Sequence, residues 1–262
     1  MPLEDIQFTI AADQPAAGQP GSGPVRIGWL LTKDEGGLLF DMPERVRSVD
    51  VDRTHAKSAS RCPAIINLES RYFVVKSPYD MHLRFARDDK GKPVLRNMAG
   101  TASPIRQGKL NQVIKLVDER EWRYKDRPTL QMVLPHLFIT DEPVFMSQVE
   151  PFMHYRKTRF PGLVFGGRFP IHIWPRPLMW AFEWVETDKD LEIRRGDALF
   201  YVCFETAPQD RAVQIVEAER TAELDEYMNQ ISAVVNYVNQ TFSLFREAEK
   251  RRPERLLTMK KR

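Results

Sequence analysis

Apolar residues alternate with polar or small ones most clearly at 178–185 and 198–205. In the first segment Trp180, Phe182 and Trp184 alternate with Ala181, Glu183 and Val185. In the second, Phe200, Val202 and Phe204 alternate with Tyr201, Cys203 and Glu205. Successive side chains of a strand point to opposite faces, so each aromatic set shares one face. The two segments are predicted to be adjacent core strands with these aromatic and aliphatic residues inaccessible to solvent. Further strands are predicted at 6–10, 25–31, 64–68, 72–75, 82–85, 129–139, 144–149, 169–174 and 213–216. Pro63, Ser77-Pro78 and the hairpin-turn composition Asp88-Asp89-Lys90-Gly91 punctuate them. Short strands at near-regular spacing predict a mostly-β protein, a jelly-roll-like or related β-barrel or sandwich. No strand–helix–strand alternation with a glycine-rich first turn occurs, which disfavours a dinucleotide-binding fold.

The pattern changes at 221–250, a stretch without Gly or Pro. Leu224, Met228, Ile231, Val235, Val238, Phe242 and Phe245 step by 4, 3, 4, 3, 4 and 3, the a/d spacing of a heptad seam. Thr221 marks the start and Pro253 the stop. The predicted organisation is a β-barrel domain over 1–218 with a flexible loop at 11–24, a C-terminal amphipathic helix over 219–252, and a basic tail over 253–262. Monomers rarely expose an apolar stripe on the order of several hundred Å². Either the chain's own barrel or a second copy therefore covers the seam. Uncharged residues such as Asn229, Gln230, Asn236, Asn239 and Gln240 surround it, and Lys250, Arg251 and Arg252 would repel in a parallel bundle. The expectation is a homo-oligomer through Leu224, Met228, Ile231, Val235, Val238 and Phe242, antiparallel or with the helix docked on a neighbouring barrel.

Charge refines this picture. The 262 residues carry a net +3, yet residues 246–262 and 151–177 each carry +5, leaving −7 elsewhere. Two basic patches thus sit on an acidic body. No run of about 18 apolar residues predicts a transmembrane helix, and the first thirty residues lack the basic start and apolar core of a secretory signal. Cys62 and Cys203 are too few for a disulfide scaffold and read as reduced core thiols. The expected setting is cytoplasmic, or the virion if a phage encodes the chain.

Candidate chemistry is sparse. His55, His82, His136, His154 and His172 are never within five residues of one another, so no His-x-His or His-x-Asp/Glu metal pair forms, and two distant cysteines assemble no zinc site. No metal or cofactor is expected. Gly18, Gly21 and Gly23 lack the Lys-Ser/Thr of a phosphate loop. Gly-x-Ser-x-Gly and Ser-x-x-Lys are absent, so no catalytic residue is assigned. Glu183 between Phe182 and Trp184 needs a partner if it faces inward, with Arg168, Arg194 and Arg195 as candidates; facing outward it is solvated. Residues 151–177 mix aromatics, cations, five prolines and Phe165-Gly166-Gly167. Arg with aromatics suits phosphates, carboxylates or stacked rings. Arg156, Arg159, Arg168, His172, Trp174 and Glu183 are the candidate ligand-binding set, for an anionic small molecule or peptide. An ordinary packing loop is the competing reading, and nucleic acid is the weakest.

Two stretches carry a resemblance. One is Cys62-Pro63-Ala64-Ile65-Ile66-Asn67 with Tyr72-Phe73-Val74 and Ser77-Pro78-Tyr79-Asp80-Met81-His82-Leu83. The other is Ile173-Trp174-Pro175, Met179-Trp180-Ala181-Phe182-Glu183-Trp184 and Arg195-Gly196-Asp197-Ala198-Leu199-Phe200. Together they resemble an uncharacterised family of β-rich proteins from bacteria and tailed phages. The resemblance spans residues 61–205 and implies a compact β-barrel without an established activity. The final strand pair also resembles the deoxyuridine triphosphatase barrel, but that enzyme's nucleotide-site motifs are missing and its activity does not carry over. The functional expectation is a non-catalytic binding or assembly protein, phage- or mobile-element-related, that self-associates through its C-terminal helix. The alternative is a metal-independent enzyme acting in the barrel mouth through Arg168, His172 and Glu183.

Overall fold

The computed structural model describes residues 23–32, 40–47, 58, 61–154, 159–235 and 241–260. The strand expected at 6–10 and most of the loop at 11–24 lie outside them. In chain order the elements are β1 (Val25–Leu31), β2 (Glu44–Arg45), α1 (Pro63–Arg71), β3 (Tyr72–Lys76), β4 (Met81–Arg87), β5 (Pro93–Asn97), α2 (Gln107–Val113) and β6 (Ile114–Leu116). They continue as β7 (Thr129–Val133), β8 (His136–Ile139), β9 (Val144–Val149), β10 (Gly162–Val164), β11 (Gly167–Pro170) and β12 (Met179–Trp184). Then β13 (Leu191–Ile193), β14 (Ala198–Thr206) and β15 (Val213–Glu217) precede α3 (Ala222–Val234) and α4 (Thr241–Arg251).

The protein is mostly β. A five-stranded sheet has the order β11-β9-β14-β3-β2, a four-stranded sheet the order β10-β12-β7-β6, and two three-stranded sheets the orders β15-β1-β8 and β13-β4-β5. Each order ends in two different strands. Among the described residues no sheet closes on itself, which corrects the expected closed barrel. Trp180, Phe182, Trp184, Phe200, Val202 and Phe204 are all fully buried, as predicted. They share one core with Phe73, Met132, Phe138 and Met146. Their expected pairing is corrected: β12 bonds to β7 and β10, whereas β14 bonds to β3 and β9. Period two assigns a strand's face and leaves its neighbour open.

Other differences have local causes. Residues 64–68 are helical in α1, because Pro63 occupies the first helical position, where its fixed φ suits the helix and its missing N–H is not needed. The expected strand 129–139 divides into β7 and β8 around Pro135, which has no N–H for a ladder. The strand expected at 169–174 ends at Pro170, and Ile173 and Trp174 both donate to Pro170 O, so His172 sits in a turn. The hairpin turn at 88–91 forms as expected. The Asp88 carboxylate accepts from the Lys90 and Lys92 amides, and Gly91 takes φ +75°, where a side chain would be strained.

The heptad stretch makes two helices. Thr221 Oγ1 caps α3 by accepting from the Leu224 amide. Tyr227 Oη donates to Ile173 O at 2.6 Å and lies 3.2 Å from Ala248 O. In one straight helix residues 227 and 248 would stand about 31 Å apart, so the chain doubles back and α4 packs on α3. Leu224 and Ile231 are buried in the chain's own second core, with Tyr227, Ala248, Leu137, Ile139 and Trp174. Met228 is half-buried, Val235 and Phe242 are 56% and 79% exposed, and Val238 lies outside the described residues. The tail is strapped down as well. Leu256 is buried, Asp141 Oδ1 accepts from the Leu256 and Leu257 amides, and Met259 bridges Ala218. No helix among the described residues is long and apolar enough to cross a membrane.

Candidate functional site

The residues singled out from the sequence do not form one site. Arg156 lies outside the described residues. Arg159 is exposed and helps Lys189, the larger influence, hold the Glu186 carboxyl below its usual range. Arg168 on β11 is salt-bridged to Glu205 at 2.8 Å, stacks on Phe145 with its guanidinium carbon 3.9 Å from the ring centroid, and shares Glu205 with the Ser147 hydroxyl. His172 meets the same phenyl ring edge to face, 6.2 Å between centroids, with Nδ1 against the Val144 backbone. Arg168 and His172 are thus brought together around Phe145. Trp174 is buried and packs edge-on against Phe245 of α4. Glu183 belongs to the other large sheet and shares none of these contacts. Its cationic neighbour is Arg127, which replaces the expected Arg168, Arg194 or Arg195.

Cys203 is buried, and its thiol is pushed up chiefly by that burial, so it makes a poor nucleophile. Cys62 is exposed, contrary to the expected core thiol. The Tyr201 hydroxyl sits 2.5 Å from His154 Nδ1 and accepts from the Met153 amide, within an aromatic group that includes Tyr72 and Phe152. Burial raises the Tyr201 phenol as well. His82 bonds to Asp190 at 2.8 Å, but Arg84 takes both oxygens of the same carboxylate. Among the described residues no three His, Cys, Asp or Glu side chains gather as a metal site. A groove of about 680 Å³ is lined by Arg26, Asp141, Glu142, Arg211, Arg255 and Lys260, among others. Most of its charges are already paired: Arg211 with Glu142, Asp141 with Arg252, and Lys260 with Glu217.

One surface departs from ordinary economy. The alternation of β12 turns Trp180, Phe182 and Trp184 inward and Met179, Ala181 and Glu183 to the outer face of the four-stranded sheet. β7 sets Val133 beside Met179, Gln131 beside Ala181 and Thr129 beside Glu183. β10 sets Leu163 beside Glu183, and the next residue but one, Phe165, donates its amide to Ala181 O. The centre of this face is buried: Ala181 is 8% and Glu183 4% exposed. Its flanks are bare, with Val133 60%, Leu163 56% and Phe165 42% exposed. Glu183 Oε1 is buried without a hydrogen-bond partner. Arg127 Nη1 stands 3.8 Å away, beyond hydrogen-bond reach, and its guanidinium stacks on Tyr124 at 4.6 Å. A Cβ on Gly162 would lie 2.3 Å from Glu183 O, so β10 reaches this distance from β12 only as glycine.

The sequence reading missed Val133, Leu163, Tyr124 and Arg127. Val133 and Leu163 look like ordinary strand residues until the register places them on one outer face. Arg127 lies in the turn that closes on Tyr124, where no local pattern points to Glu183. Comparison with family models, with curated proteins and with solved structures returns no match to the chain.

Proposed function

We propose that the chain is a non-catalytic binding or assembly protein that docks a partner protein on the outer face of β10, β12 and β7. One observation carries this reading: Val133, Leu163 and Phe165 leave large apolar side chains in water around a buried strip on that face. A single exposed apolar residue is ordinary, whereas several on one face mark an interaction surface. The separation of Glu183 from Arg168 and His172 supports binding over the enzymatic alternative, since those two share Phe145 whereas Glu183 faces Arg127. The setting in a phage or mobile element belongs to the same proposal and rests on the short motifs in residues 61–205. A jelly-roll-like arrangement of the two larger sheets is part of this reading too, supported by the core that both build. Self-association through the helices now has fewer residues to use, because Leu224 and Ile231 are covered by their own chain.

A photo-crosslinking amino acid at position 163 or 133, introduced in cells of the encoding organism, tests the proposal. Both positions should capture the same protein species, and the exposed positions 66 and 242, which lie on helices away from this face, should not. No crosslinked species at 163 and 133, or the same species at every position, would overturn it.

A further inference from the structure

We infer that the partner is recognised by strand addition: an extended segment of a partner protein lies along the free edge of β10 as a fifth strand. This rests on the docking face proposed above and adds the kind of occupant and the way it is held. In an antiparallel ladder alternate residues exchange both backbone bonds with the neighbour, while those between turn their N–H and C=O the other way. Val185 donates to Pro161 O and Phe165 donates to Ala181 O, and Leu163 pairs with Glu183. Pro161, Leu163 and Phe165 are therefore the positions bonded to β12. Gly162 and Val164 turn their amides and carbonyls outward. β10 ends its sheet, and among the described residues no strand pairs on that side. Unpaired edge groups of this kind are a ready template for an added chain.

The side chains suit such an occupant. Leu163 and Phe165 alternate onto the outer face and remain 56% and 42% exposed, so an added strand with apolar residues at every second position would lie against them. The size of the edge favours a flexible segment over a second folded copy. Three residues of strand span about 10 Å, and with a sheet thickness of about 10 Å the edge offers on the order of 100 Å², far short of the roughly 800 Å² per partner that a stable dimer buries. An extended segment can follow that short edge and continue over Val133 without bringing a second globular surface into register.

A library of random peptides displayed on phage, selected against the full-length protein, is the probe. Enriched peptides should carry apolar residues at alternate positions. Val164→Pro should lower their affinity at least tenfold. It deletes an outward N–H, a substitution that edge strands accept, and keeps an apolar ring where the Val164 side chain packs on the main core, so its thermal unfolding should stay close to that of the parent. N-methylation of alternate amides in the peptide should lower affinity similarly, which keeps the test decisive even if Val164→Pro disturbs the fold. Leu163→Glu should abolish binding. Equal affinity for Val164→Pro and for the methylated peptides, with loss in Leu163→Glu, would overturn strand addition and leave the docking face standing. Failure to enrich any peptide would overturn both. Self-association abolished by Val164→Pro, with no peptide enriched, would assign the edge to a second copy and overturn the partner segment.

Discussion

Glu183 holds a carboxylate where water does not reach and no donor comes within hydrogen-bond distance of Oε1. Leaving a buried acceptor unmet costs about 1–3 kcal/mol, and more for a charged group. Glu183→Gln keeps the shape and removes the charge, so it should raise stability by about 1 kcal/mol in thermal or urea unfolding. A clear loss would mean that the Arg127 pair is holding the fold. Two histidines make a second prediction at this scale. Burial pushes the His136 imidazole below its ordinary value of 6.5, against a weaker upward pull from its bond to Asp41 O, and burial likewise lowers His172. The unfolded chain then binds protons that the folded chain refuses, so stability is fully present above about pH 6.5 and is lost as pH falls through that value toward the lowered ones. Urea midpoints should be lower at pH 5.5 than at pH 7.5, with a smaller difference in His136→Gln; a higher midpoint at pH 5.5 would contradict the sign. At this scale the sequence marked Glu183 as a carboxylate in need of a partner. It could not name Arg127, because 56 residues separate them and only the pairing of β7 with β12 brings that turn close.

Strand character was the most legible feature at the scale of elements. β12 and β14 lie where the alternation places them, and their inward residues are fully buried. Removing one of those rings, as in Trp180→Ala, should cost about 3–5 kcal/mol by calorimetry. Neighbours were not legible, since a strand's pattern describes the face it buries, and many partners satisfy the same face. The C-terminal helices show the same limit. The 4-3 spacing is real, and Leu224 and Ile231 are buried on it, but Tyr227 and Val234 are buried as well, while Val235 and Phe242 face water. The stripe therefore turns toward the second core rather than following the seam. Tyr227 ties the two helices to that core through Ile173 O, and its phenol is pushed up to about 12 mainly by burial. Tyr227→Phe should destabilise by about 1–3 kcal/mol, because a buried carbonyl loses its donor. An unchanged unfolding midpoint would show that the hydroxyl bond is not holding the pair.

Among the described residues, four open sheets and a helix pair surround a main core, a second core and a small third cluster at Val46, Val74, Ala198 and Tyr201, and every open sheet leaves edges to be managed. Met259 and Lys260 run beside the C-terminal end of β15 and cover that end of its edge from the chain's own tail. β10 has no such strap among the described residues, and it stands next to the apolar flank formed by Leu163 and Phe165. Amide hydrogen exchange by NMR reads this uncovered edge residue by residue. Alternation is expected in the free protein: the amides of Leu163 and Phe165 protected by β12, those of Gly162 and Val164 exchanging freely, and the latter two becoming protected when a selected peptide is added. Equal protection of all four amides in the free protein would show that the edge is already covered, and would contradict it.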